Sequence, residues 1–289
     1  GETVGAALTS HPGIAGVAFT GSTEIARLIN RTLASRDGPI AALIAETGGA
    51  NAMIVDSSAL PEQVARDAVA SAFQSAGQRC SALRLLCVQE DVADNMIEMI
   101  AGAMAELNVG DPADPATDVG PIIDAEAQAN IAAYVAAARG EGRVLAQADR
   151  LVLPADGHFV PPVMVRLDKV TDLRREIFGP VLHVATWKAG ELDQLIDAIN
   201  ASGYGLTLGV HTRIDSVAAH IAARAQVGNV YVNRNQIGAI VGSQPFGGRG
   251  LSGTGPKAGG PHYLFRFAEE KVISTDVTAA GGNAALMAG

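Results

Sequence analysis

The sequence is short of cysteine, of basic charge and of long apolar runs, and each shortage removes a class of function. Only two cysteines, Cys80 and Cys87, occur in 289 residues, which is too few for a disulfide framework and fits a reducing cytoplasm. Lysine and arginine number 21 against 30 acidic residues, a formal net charge of −9. That balance argues against a nucleic-acid-binding surface and is read as simple solubility. The apolar stretches break well before the roughly 20 residues a membrane helix needs. Gly1-Glu2-Thr3-Val4-Gly5 has no basic segment leading into an apolar one, so no secretory leader is read there. The histidines have no metal-ligand spacing, and no Gly-x-Gly-x-x-Gly follows a strand pattern. There is no internal repeat, and the start shows neither an initiator methionine nor a leading secondary-structure element.

What is present is a chain with 48% hydrophobic and 18% charged residues, long enough to bury a sizeable core in one large or two smaller domains. Its two cysteines differ. The run Ser75-Ala76-Gly77-Gln78-Arg79-Cys80-Ser81 is a turn that follows a helix predicted over Pro61 to Phe73, with Val64, Ala68, Val69 and Ala72 on one face and Gly77 as its stop. Cys80 lies directly after Arg79, and a nearby cation, backbone N–H groups and partial exposure favour a thiolate. Cys87 lies inside the apolar strand Leu83 to Val88 and reads as core. From composition alone Cys80 would read the same way. A second motif, Glu46-Thr47-Gly48-Gly49, sets a carboxylate at a strand-to-turn boundary before two glycines. Such a carboxylate can be a general base, although a loop charge or a helix cap explains it equally.

Along the chain, strands and helices alternate. Strands are predicted at Ile14 to Thr20, Ile40 to Ala45, Asn51 to Val55, Leu83 to Val88, Val160 to Leu167, Val181 to Trp187, Leu206 to His211 and Asn229 to Asn233. Helices are predicted at Glu24 to Leu33, Asp91 to Leu107, Asp124 to Arg139, Glu191 to Asn200 and Ile214 to Ala225. This order argues an α/β fold with largely parallel sheets. Residues 110–115 and Ile237 to Gly255 read as loops, His262 to Thr275 as an extended edge, and the last residues as a disordered tail. Ser22 or Thr23 can cap the helix from Glu24, and the N–H groups there would suit a phosphate or simply be capped.

The paired motifs Glu46 to Gly49 and Gly77-x-x-Cys80 resemble those of the aldehyde dehydrogenase superfamily. Glu176-Ile177-Phe178-Gly179-Pro180, Asn200 to Leu206 and Pro245-Phe246-Gly247-Gly248 with Ser252-Gly253 follow in the family's order. More narrowly, Ser75 to Ala82 and Gly242 to Gly248 are similar to the glutamate γ-semialdehyde (1-pyrroline-5-carboxylate) dehydrogenase domain of the proline utilization A group. The resemblance implies an aldehyde dehydrogenase-like fold: residues 1–47 as the end of the NAD-binding domain, 48–260 as the cysteine domain, and 261–289 as a C-terminal strand and tail that pairs subunits in a homo-oligomer. It implies Cys80 as nucleophile and Glu46 as base. It also implies NAD contacts from Thr20, Gly21, Ser22, Gly48, Glu176 and Phe178, and substrate contacts from Ser81, Arg79, Gly242, Ser243 and Phe246. The substrate would be glutamate γ-semialdehyde, its α-carboxylate gripped by the Gly242-Ser243 loop. The resemblance further implies a proline dehydrogenase domain ahead of this segment, with an oxyanion-holding asparagine and a cofactor lysine also lying before Gly1. Another small aldehyde as substrate, and a fragment inactive by itself, are the alternatives. A thiol hydrolase has no use for Glu176.

Overall fold

The computed structural model describes residues 1–148, 153, 156–240, 242–276 and 288. Within them the chain opens with helix α1 (Val4–Ser10), strand β1 (Gly16–Thr20), helix α2 (Thr23–Ala34) and strand β2 (Ala42–Glu46). Strands β1 and β2 form a separate parallel pair with Thr20 opposite Glu46. Then follow β3 (Ala52–Val55), α3 (Pro61–Phe73), β4 (Leu85–Gln89), α4 (Ala93–Ala105), α5 (Ala125–Gly140), β5 (Val144–Gln147), β6 (Val163–Arg166) and β7 (Val181–Trp187). The last elements are α6 (Leu192–Ala201), β8 (Tyr204–Gly205), β9 (Thr207–His211), α7 (Asp215–Arg224), β10 (Asn229–Val232) and β11 (Arg249–Gly250).

The main sheet runs in the order β10-β9-β3-β4-β7-β6-β5. Every neighbouring pair is parallel except β5 with β6. Parallel strands need both faces covered, and alternate side chains divide accordingly. Met53, Val55, Leu86 and Val88 pack with α3 and α4 into one core. Ala52, Ile54, Leu85 and Cys87 pack with α6 and the buried Ile221 of α7 into the other. Cys87 is therefore a core residue, as its apolar run predicts.

Several boundaries differ from the sequence reading. Helix α3 has the predicted bounds, but it is stopped at Gln74, where the chain leaves helical geometry, and not by Gly77, which lies in the left-handed turn that follows. A leading helix exists: the C-terminal carbonyls of α1 are met by the Arg36 guanidinium, which donates to Thr9 O at 3.3 Å and His11 O at 3.1 Å. Strand β5 was not anticipated. It forms as the antiparallel edge against β6, with a bulge between Val144 and Ala146. The loop at Ile237 to Gly255 contains a two-residue strand, β11, paired with β8. The extended edge expected over His262 to Thr275 is instead a 3₁₀ turn at Leu264–Phe267 followed by irregular chain. A strand needs a ladder partner, and Leu264, Phe265 and Phe267 are exposed rather than packed on a sheet. Of the expected tail, residues 277–287 and 289 lie outside the described residues.

Leu86 is fully buried in the middle of β4. Leu86→Ala is expected to lower unfolding free energy by about 2–5 kcal/mol, read as a lower urea midpoint with an unchanged slope.

Candidate active site

The turn between α3 and β4 is backbone of an uncommon kind. Ser75 (φ 54°), Ala76 (φ 53°) and Gly77 (φ 65°) are successive left-handed residues, a conformation that costs a non-glycine residue about 1–2 kcal/mol. Gly77 has no alternative, since a Cβ there would collide with the Gly179 carbonyl. The surroundings hold the turn in place. Ala76 is wholly buried. The Gln78 side chain donates to Pro121 O at 2.9 Å and accepts from Ile123 N at 2.9 Å. Asn51 Nδ2 donates to Cys80 O at 2.6 Å and Ala82 O at 2.9 Å, while its Oδ1 accepts from Thr207 N at 3.2 Å. Cys80 is thus set at the amino-terminal edge of β4, half-buried.

Burial pushes the Cys80 thiol above its usual value, the carboxylates of Glu176 and, more weakly, Glu46 add to that, and the N–H groups of Ser81 and Cys80 oppose it. Arg79 does not play the part its neighbour position implied. It is exposed, and its Nε donates to Ser75 Oγ at 3.0 Å. The cation in electrostatic reach of the thiol is Arg84.

Glu46 ends β2, where the chain is stitched to the loop after β11. Thr254 N donates to Ala45 O at 2.9 Å, and Thr47 Oγ1 donates to Leu251 O at 2.5 Å. Gly248 N donates to Glu46 Oε2 at 3.2 Å, and Oε1 is buried with no hydrogen-bond partner. Desolvation lifts the carboxyl to about 6, against the Gly248 N–H and the charge of Lys257. A carboxyl so tuned is half ionised near pH 6 and mostly ionised at neutral pH, yet more basic than an ordinary carboxylate, which suits a general base. Thr20, Gly21 and Ser22 adjoin it, with Gly21 N donating to Glu46 O at 3.1 Å and Ser22 Oγ accepting from Ile25 N to cap α2.

Glu176 comes in from the segment before β7. Its Oε1 accepts from Arg84 Nη2 at 3.0 Å and Nε at 3.3 Å. Burial pushes both groups of this pair toward their neutral forms, and each holds the other charged. The carboxylate also lies over Gly48, where any Cβ would collide with Oε2. Phe178 is exposed with its ring 5.2 Å from the Arg84 guanidinium carbon. Ser81 is buried, and its carbonyl accepts from Thr207 Oγ1 at 3.3 Å. Gly242 and Ser243 lie exposed at a tip closed by the Ile240–Gln244 backbone pair, and Phe246 pairs with Ala258 in the next stretch. Among the described residues, no hydrogen bond joins that tip to Ser81 or Cys80. The groupings that result are Cys80 with Ser81, Glu46 with the Thr20-to-Ser22 turn, and Glu176 with Gly48.

Sequence reasoning missed Arg84, Asn51 and Lys257. Arg84 had a signal, a charged residue inside an apolar strand run, and local sequence would pair Glu176 with Arg174 or Arg175 instead. Asn51 and Lys257 carry none, because the Asn51 partners are 29 or more residues away and the Lys257 partners, 10 to 29 residues away, are linked to it by no periodic pattern.

A family model described as "Aldehyde dehydrogenase family" matches residues 1–273. The bifunctional protein PutA of Klebsiella aerogenes is 60% identical over 274 residues, covering 92% of this chain and 21% of the relative. A crystal structure of a Bradyrhizobium japonicum proline utilization A mutant is 61% identical with a TM-score of 0.90, covering 94% of this chain and 28% of that one. A 1-pyrroline-5-carboxylate dehydrogenase from Thermus, solved with bound NAD, is 35% identical with a TM-score of 0.86, covering 93% and 52%. The chain therefore spans between about a fifth and about half the length of these relatives.

Two measurements check the site. Arg84→Met leaves the Glu176 carboxylate without its cation and takes one of two donors from the Arg79 and Gly179 carbonyls, which keep Ala82 N and Val181 N, so a loss of about 3–5 kcal/mol is expected in thermal or urea unfolding. Iodoacetamide should label Cys80 slowly at pH 7 and faster as pH rises through and above the ordinary thiol range, because only the thiolate reacts. Cys87, buried and pushed still higher, should stay unlabelled until the protein unfolds.

Proposed function

The chain belongs to the aldehyde dehydrogenase family, and from that membership we propose that it carries the nucleophile and the base of an NAD-dependent dehydrogenase oxidising glutamate γ-semialdehyde to glutamate. The observation that carries the reading is a half-buried carboxylate, Glu46, raised by desolvation to about 6 and within electrostatic reach of the Cys80 thiol. The Cys80 thiolate attacks the aldehyde carbon and forms a thiohemiacetal. The N–H groups of Cys80 and Ser81, which already reach the sulfur, stabilise the thiolate, and that of Cys80 is one donor to the oxyanion. Once the thiohemiacetal has given up its hydride and become a thioester on Cys80, Glu46 takes a proton from water, which attacks the thioester carbonyl, releases glutamate and returns the thiol.

The residues present fit NAD. Glu176 spends one oxygen on Arg84 and retains acceptor capacity for a ribose diol. The Gly48 cradle leaves the carboxylate its place, and Phe178 is exposed beside it. When bound, NAD supplies the hydride acceptor. Thr20, Gly21 and Ser22 at the start of α2 would meet its phosphates. Gly242 and Ser243, with Ser81, Arg79 and Phe246, would hold the amino-acid end of the substrate; Gly242 is left-handed (φ 84°) with open space around it. We assign residues 1–47 to the cofactor side and 48–260 to the cysteine side. The proline utilization A relatives support a proline dehydrogenase domain in the parent protein and a homo-oligomer. No helix among the described residues is long and apolar enough to cross a membrane, and two free cysteines fit a cytoplasmic setting.

The test is NADH formation by the parent protein from NAD and glutamate γ-semialdehyde. Cys80→Ala should abolish it. Glu46→Gln should keep a first-turnover burst of NADH while steady turnover falls ~10²- to 10⁴-fold. An equally active Cys80→Ala variant sinks the reading, and a preference for succinate semialdehyde sinks the substrate.

A further inference from the structure

Lys257 lies outside every motif so far assigned, yet its ammonium is fully engaged. Nζ donates to the Gly228 carbonyl, to Asn229 Oδ1 at 2.7 Å and to the Gly247 carbonyl at 3.0 Å. All three partners are acceptors, and three donors exist only on the protonated amine. The cation is therefore built into the site.

The Gly247-Gly248 turn it grips is the one that receives Glu46. Gly248 N donates to Glu46 Oε2, and a Cβ on Gly247 would come within 3.0 Å of Glu46 Oε1 and 3.2 Å of Lys257 Cα. Gly228 is bare for the same reason, since a Cβ there would collide with the Gly247 carbonyl and approach Lys257 Nζ at 3.0 Å. Asn229 closes the arrangement. Its Oδ1 takes Lys257 and its Nδ2 donates to Pro245 O at 3.0 Å. The cation, the turn and the carboxylate thus stack in that order, with no room for an intervening side chain.

We propose that Lys257 is a positioning residue for the general base: its ammonium fixes the Gly247-Gly248 turn beneath the Glu46 carboxylate and supplies a positive charge that keeps that carboxylate available to activate water. This rests on the proposed function above. The charge bearing on Glu46 is that of Lys257, across the glycine turn; the carboxylate in turn acts with Glu176 to keep Cys80 a neutral thiol. The Lys257 charge lowers the carboxyl against a larger desolvation, so removing it lets the carboxyl rise further. A base works deprotonated, so its loss must show on the acid side and fade at high pH.

The experiment is the pH dependence of NADH formation by the parent protein, resolved into burst and steady turnover. Lys257→Met should keep the burst and move the acid limb of steady turnover up by about half a unit to one unit. The part of the slowing due to the lost charge would be about 3- to 10-fold at pH values below the limb and fade toward pH 9, where only the pH-independent loss from the unfixed turn remains. Lys257→Arg, which keeps the charge but cannot match three converging acceptors, should lower the rate at all pH values with the limb near its wild-type position. If Lys257→Met proves insoluble, a limb displaced by a full unit in Lys257→Arg overturns the proposal. So does a uniform loss without displacement in Lys257→Met, or an unchanged profile, while Cys80→Ala stays dead. The last pattern leaves the dehydrogenase reading standing and removes Lys257 alone. The Glu46 carboxyl, followed by infrared difference titration against Glu46→Gln, gives an activity-independent check. It should titrate higher in Lys257→Met, and an unmoved titration refutes the charge.

Discussion

The buried guanidinium of Arg84 is the interaction on which the rest of the site depends. It is fully buried at the start of β4 and donates to three partners on two segments: the Glu176 carboxylate and the Gly179 carbonyl at 3.1 Å on one, and the Arg79 carbonyl at 3.1 Å on the other. The first segment carries the Glu176 carboxylate and the close approach to Gly77, and the second is the turn that presents the cysteine. A planar group with five donors in a fixed fork can bind three such partners at once, and a lysine could not impose the same geometry. Behind it, the β4 backbone is fixed in turn. His183 Nδ1 bonds the Arg84 carbonyl at 2.8 Å, and burial pushes that imidazole down to about 4. It is therefore neutral, donates from Nδ1 and accepts from Tyr134 OH through Nε2.

The two sheets meet with opposite edges. Thr20 to Ser22 and Glu46 lie at the carboxyl ends of β1 and β2, the edge where open parallel sheets offer helix N-termini to ligands. Asn51, Cys80, Glu176 and Thr207 lie at or just before the amino ends of β3, β4, β7 and β9. The chain on either side of β11 ties the two together: Gly248, Leu251 and Thr254 bond Glu46, Thr47 and Ala45 at the end of β2, while Ser252 Oγ accepts from Gly205 N just before β9. The strained turn at Ser75 to Gly77 persists because Asn51, Gln78 and Arg84 each fix a different part of it, as strained backbone requires.

Much of this was legible in the residues. Apolar runs flanked by turn residues located most strands of the main sheet within one to three positions. The glycine and cysteine motifs located Cys80, Glu46 and Glu176. The errors share a cause. The edge strand β5 and the chain after His262 depend on whether a ladder partner exists, which a local pattern does not encode. Helix α1 exists because Arg36, some 25 residues on, satisfies its end. Arg79 reads as the cation at the thiol because it is adjacent in sequence, and adjacency stands in poorly for direction; its side chain turns to Ser75, while Arg84, four residues past Cys80, is the cation in electrostatic reach of the thiol.

What the sequence by itself determined is the class of fold and the residue types of the chemistry, because hydrophobic alternation and glycine placement are local consequences of burial and backbone sterics. What only the tertiary structure decided is the electrostatic state of those residues. Glu46 is raised to about 6 because two sheets and a glycine loop close around it. Cys80 is held as a thiol by burial and two carboxylates, and Glu176 stays charged because Arg84 is brought to it from 92 residues away. Desolvation and Coulomb energy depend on distance in space, and that distance exists only once the chain has folded.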